Sequence, residues 1–165
     1  MALRLWIALN ALVIFGTAAY IWLYHPHPFA VVRSGQISAQ AAIIFFIINI
    51  NMYFIFLVIK KTPRRSVKIV LARIARALMK WHIRFALAGA AFIAAHGAVM
   101  LVVLGRVIGF AHPKIVSGIA AILALGVTLF AGWLRRRRAS GFRRKFHLLA
   151  AMSFGAVFLI HMFLW

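Results

Sequence analysis

The sequence predicts an all-α fold, a polytopic membrane bundle of five transmembrane helices. Three observations predict it. The 165 residues are 66% hydrophobic, with a mean hydropathy of +1.02. There are 20 Lys and Arg but no Asp or Glu, whereas soluble domains carry charges of both signs on about a quarter of their residues. Finally, five apolar stretches are each long enough to cross ~30 Å of hydrocarbon at ~1.5 Å per residue. A disordered basic tail would lack this aliphatic and aromatic content.

The first stretch, 5–24, follows Arg4 and ends in small residues, as a signal peptide does, but reads better as a retained membrane anchor. Spans follow at 37–59, 81–104, 114–134 and 146–164, in a single membrane domain covering 1–165. Residues 60–80 are basic yet carry Val67, Ile69, Val70, Leu71, Ile74 and Leu78. That pattern predicts an amphipathic helix, lying on the inner surface or extending the third span.

The cations divide unevenly among the connections. Seventeen fall at Arg4, between spans two and three (Arg84 included) and between spans four and five, leaving only Arg33, Arg106 and Lys114 on the other side. The positive-inside rule then places the amino terminus inside and the carboxyl terminus outside, as in a bacterial or archaeal cytoplasmic membrane. Trp6, Trp81 and Trp133 fall at the inner interface, and Trp22, Tyr24 and Trp165 at the outer one, matching aromatic belts.

Absences narrow the chemistry. With no Cys, there is no disulfide, thiolate metal site, iron–sulfur cluster or covalent haem attachment. With no carboxylate side chain, there is no Asp or Glu general base or metal ligand. Seven histidines remain, and four of them are patterned. His82 and His96 lie fourteen residues apart on span three; His147 and His161 lie fourteen apart on span five. Fourteen residues at ~100° each come within ~40° of four full turns, with a rise of ~21 Å, so each pair shares one helix face. Spans three and five run in the same direction. His82 and His147 therefore fall at one inner depth, and His96 and His161 at one outer depth.

Two imidazoles facing each other can ligate a haem iron from both sides. The pattern predicts two haem b groups in a core built from spans three to five. Single histidines in a membrane also serve helix–helix hydrogen bonding, but matched spacing on parallel helices favours ligation. Gly118 and Gly132, again fourteen apart, together with Gly89 between His82 and His96 and Gly155 between His147 and His161, are expected to leave room for flat macrocycles. Arg84, inside its span, is the candidate partner of a propionate, since Arg–carboxylate bonds are strong; Lys80, Arg143, Arg144 and Lys145 flank the inner pair, and Arg106 and Lys114 the outer. Most of the basic residues read instead as topology signals and contacts to anionic lipids.

The two H-x13-H pairs resemble the ferric-reductase-like membrane domain shared with NADPH oxidases. Matching spacing occurs in cytochrome b of quinol–cytochrome c oxidoreductases. His82, His96, His147 and His161 carry this resemblance over about the last half of the chain. It implies a di-haem b-type cytochrome with an inner donor and an outer acceptor. A sixth span, a glycine-rich dinucleotide fingerprint and the acidic quinol motif of cytochrome b are absent from the sequence. The expectation is a bare electron wire needing partners at both ends.

The donor is a quinol bound at a haem edge or an acidic cytoplasmic flavoprotein drawn to the basic loops. His112, His25 and His27 are the titratable candidates for an outer quinone or partner site, although His25-Pro26-His27-Pro28 reads better as a stiff extended loop with solvated histidines. Asn49 and Asn51 are expected to make interhelical hydrogen bonds. A membrane scaffold or assembly subunit with acidic partners is the non-redox alternative. A transporter lacks a polar midplane path, and nucleic-acid binding is excluded by the cations' position beside membrane spans.

Overall fold

The computed structural model describes residues 2–24 and 29–164, with backbone alone for 2–4. His25, His27 and Trp165, together with the side chain of Arg4, lie outside the described residues. The described residues form helices joined by short turns, with no strand among them. The helices are α1 (Ala2–Ala19), continued by a π-helical turn Tyr20–Tyr24, α2 (Ala30–Lys61), α3 (Arg65–Ile108), α4 (Pro113–Arg137) and α5 (Gly141–Phe163). All five are long and apolar enough to cross a membrane, as an integral membrane protein requires. Large apolar side chains such as Leu5 and Phe15 are more than 70% exposed, which only a lipid environment tolerates at this frequency.

Of the two alternatives for 60–80, the extension of span three is what forms. Helix α3 is unbroken over 44 residues, about 66 Å, and so exceeds the hydrocarbon thickness twofold. It starts after a three-residue turn because Thr62 precedes Pro63, which holds Thr62 extended at φ −78, ψ 133 and stops α2. Lys60 and Lys61 in the last turn of α2 complement its dipole. At the far end, Gly109 takes φ +88, which L side chains rarely adopt, and ends α3. His112 then caps α4: its Nδ1 accepts from the Lys114 N–H at 3.2 Å, and Pro113 occupies the first turn. Ser140 caps α5, its Oγ accepting from the Arg143 N–H at 3.2 Å.

The chain divides into two compact units, Met1–Ile93 and Ala94–Trp165, with the boundary inside α3. In the first, Ile55 of α2 packs on Leu71 and Ala75 of α3, flanked by Trp6, Ile59, Val67 and Leu78. Phe45 lies 5.8 Å from both Phe85 and Phe92, centroid to centroid. Helices α1 and α2 are tied by polar groups: Trp6 Nε1 donates to Asn51 Oδ1 at 2.9 Å, Asn51 Nδ2 to Asn10 Oδ1 at 2.8 Å, and Asn10 Nδ2 to the Trp6 carbonyl at 2.8 Å. Asn51 thus has the interhelical role expected of it. Asn51→Leu is expected to destabilise the α1–α2 pair by about 0.6–1.7 kcal/mol, the range for such bonds in membranes. Denaturant unfolding in detergent, followed by tryptophan fluorescence, checks this.

In the second unit, α4 and α5 pack as an antiparallel hairpin. Basic side chains close its helix ends. Arg143 Nη1 donates to the carbonyls of Leu134 and Arg138 at 3.1 and 3.2 Å, and Lys114 Nζ to those of Met162 and Leu164 at 3.3 and 3.0 Å. Cations at helix C-termini meet the negative end of the dipole. Lys114→Gln is expected to lower stability by about 1 kcal/mol, read as a lower unfolding temperature with faster amide exchange in the last turn of α5.

Candidate functional site

In the α4–α5 hairpin, two of the glycines expected near a macrocycle, Gly118 and Gly132, lie against histidine rings. A Cβ on Gly118 would stand 3.0 Å from His161 Cε1, and one on Gly132 would stand 3.2 Å from His147 Cε1. Because the helices are antiparallel, equal spacing on both produces two such seats. Glycine is needed there so that the imidazole can lie against the α4 backbone. At Gly118 and Gly132 the close approach is made by the candidate ligands themselves.

Each seat also fixes a tautomer. Ser117 Oγ donates to the Lys114 carbonyl at 3.0 Å and lies 3.0 Å from His161 Nδ1. With its hydrogen committed to that carbonyl, the hydroxyl accepts from Nδ1–H. His147 Nδ1 lies 3.2 Å from the Thr128 carbonyl, which can only accept. Both rings of α5 therefore carry the proton on Nδ1 and the lone pair on Nε2, the arrangement in which a histidine ligates a metal while its other nitrogen is anchored.

His96 of α3 lies opposite His161, their ring centroids 6.4 Å apart and their planes at 70°. Two axial bonds of ~2.0–2.1 Å, plus ~1.1 Å from each bonding nitrogen to its ring centroid, sum to ~6.3 Å. The observed separation is close to what two imidazoles would have if both turned Nε2 to one metal. Among the described residues, no group of three or more His, Cys, Asp or Glu could hold a metal ion; a porphyrin supplies four nitrogens itself and asks the protein for two.

His82 lies in the first unit and His147 in the second, and each is described within its own. At His82, the Asn49 amide, oriented nitrogen-first, donates to Nδ1 at 2.8 Å and to the His82 carbonyl at 3.2 Å, and accepts from the Ala86 N–H at 3.1 Å. In that orientation His82 Nδ1 accepts, which leaves the ring's proton on Nε2, the opposite tautomer to that of the α5 rings. Asn49 is thus an interhelical bond, as expected, and also a partner of a candidate ligand. Gly89 seats α2 on α3, since a Cβ there would lie 3.2 Å from Phe45 Cβ. Arg84 stacks its guanidinium 4.6 Å above the Trp81 ring, as Arg137 does 4.4 Å above Trp133. Lys114 is committed to the α5 terminus, and His112 to capping α4. Ser117, the Thr128 carbonyl and the capping role of Lys114 were missed in the sequence; Ser117, adjacent to a glycine of the fourteen-residue pair, was the available signal.

No family model matches the chain, no curated protein matches it and no solved structure matches it. The likeness to ferric-reductase-like domains accordingly rests on the spacing of four histidines.

Proposed function

We propose that the chain is a di-haem b-type cytochrome that carries electrons across the membrane, from a quinol or cytoplasmic donor to an extracytoplasmic acceptor, as a subunit of a larger redox complex. The observation that carries this reading is the His96–His161 pair, 6.4 Å apart, with the His161 tautomer set by Ser117. His82 and His147 are the inner ligands on their sequence register. Held by these four histidines, two haems would supply one-electron stores, one near each leaflet.

The chain's own residues do the rest. Ser117 and the Thr128 carbonyl hold the α5 rings in the ligating tautomer. Lys114, on the carbonyl next to His161, sets a positive charge near the outer pair and favours the reduced state there. The sequence-wide cationic surplus keeps the amino terminus and both large basic connections inside, and draws an acidic donor to that face. Propionate pairing falls to Arg84 from the edge of its guanidinium left by Trp81.

The test is a reduced-minus-oxidised absorption spectrum of the purified chain, made with haem in supply. A b-type spectrum with two haems per chain supports the reading, and a colourless chain overturns it.

A further inference from the structure

At the closed end of the α2–α3 hairpin, the two legs disagree about where the membrane ends. Asn49 meets His82, and Ile55 meets Leu71 and Ala75, so α2 residues up to Ile59 run beside α3 residues from Lys80 back to Val67. The α2 leg is uncharged from Met52 to Ile59, and Phe54, Phe56 and Val58 are exposed. The α3 leg at the same level carries Lys68, Arg73, Arg76 and Lys80, all exposed. The sequence has no Asp or Glu to pair them.

Between the legs lies a groove of about 220 Å³ lined by Phe56, Ile59, Ala72, Ala75, Arg76 and Met79. Small residues at 72 and 75 open it, and Arg76 supplies its one charge. The volume is below the ~300 Å³ of ordinary small-molecule pockets, which suits a stretch of acyl chain. We propose that this groove binds one anionic phospholipid, an acyl chain lying between Phe56, Ile59 and Met79 and the phosphate held by Arg76. An amphiphile satisfies both legs: its tail covers the apolar wall, and its phosphate meets cations at the hydrocarbon boundary, as basic pockets between transmembrane helices do for anionic headgroups. An acidic protein would pair the cations but would have no segment suited to so narrow an apolar cleft.

Native mass spectrometry of the full chain in detergent, titrated with phosphatidylglycerol or phosphatidylcholine, tests this site. The expected result is one retained phosphatidylglycerol and no comparable phosphatidylcholine adduct. Arg76→Gln is expected to weaken retention about fivefold, the contribution of one cation near an anionic lipid. Ala72→Leu, which fills the groove and leaves every charge, is expected to weaken it as well, whereas Arg136→Gln, in the other unit, leaves it unchanged. Inorganic phosphate is expected not to displace the lipid. Equal retention of both lipids, equal loss in Arg136→Gln, full retention in Ala72→Leu, displacement by phosphate, or a tightly held acidic protein in place of lipid would each overturn the proposal. Circular dichroism confirms that the variants keep their helix content. The site is independent of haem, and its failure would leave the redox reading untouched.

Discussion

On the proposed di-haem reading, alanine at His161 or at His96 is expected to lower haem content from two per chain to one. The loss would be confined to the outer haem because, in the proposed arrangement, each iron would draw on its own pair of rings. His96 and His161 stand with ring centroids 6.4 Å apart, and neither has a second histidine within reach on its own helix, the next lying fourteen residues away, ~21 Å along the axis. His82→Ala and His147→Ala are expected to remove the other haem in the same manner, and the double variants His96→Ala/His161→Ala and His82→Ala/His147→Ala to lose no more than either single change. Haem content by extraction and protein content by amino-acid analysis give the ratio. A single variant that loses both haems while keeping its helix content would contradict independent pairing.

The second large effect is expected at a residue with no chemistry of its own. Gly118→Val drives a branched side chain into the His161 ring, whose Cε1 is already only 3.0 Å from where the first added carbon would sit. The imidazole can yield only by leaving its rotamer, at about 0.5–1.5 kcal/mol for a modest rotation, and by breaking its bond to Ser117. Outer haem occupancy is expected to fall severalfold. Gly132→Val is expected to act on His147 in the same way. Gly126→Ala provides the comparison, since a Cβ there meets nothing within 4 Å. It is expected to keep both haems and gain up to about 1 kcal/mol of helix stability. Haem occupancy and thermal unfolding of the three variants, measured side by side, separate a specific ring seat from general intolerance of bulk in α4.

A related expectation concerns charge. Lys114→Gln removes a cation whose ammonium is bonded one residue beyond His161, so the reduced outer haem loses stabilisation and its midpoint potential falls, while the inner haem keeps its value. Potentiometric titration resolves the two.

The five apolar runs were legible because each is long, nearly uncharged and bounded by cations or Gly/Pro turns. The histidine register was legible for a similar reason: a spacing near four full turns has one meaning on a helix, whatever surrounds it. What periodicity leaves open is the neighbour. Gly118 and Gly132 were recognisable as close-approach positions, but what approaches them depends on the antiparallel pairing of α4 with α5, which brings imidazoles there. Gly89 likewise meets Phe45 because α2 folds back on α3. Lys114 reads in the sequence as a basic neighbour of the outer pair; its role as a cap exists only because the last turn of α5 ends beside the first turn of α4. The basic segment before Lys80 could lie flat or continue α3, since its composition suits both, and the packing of Leu71 and Ala75 on Ile55 decides for continuation.

The most direct test of the central claim is the electron paramagnetic resonance spectrum of the oxidised chain carrying His82→Ala and His147→Ala, which isolates the outer pair. Two imidazoles on one ferric iron give a low-spin signal, and planes at 70° give it strong anisotropy; that signal is the predicted result. A high-spin haem signal would mean that His96 and His161 do not both ligate, and a haem-free chain would mean that they do not form a haem site.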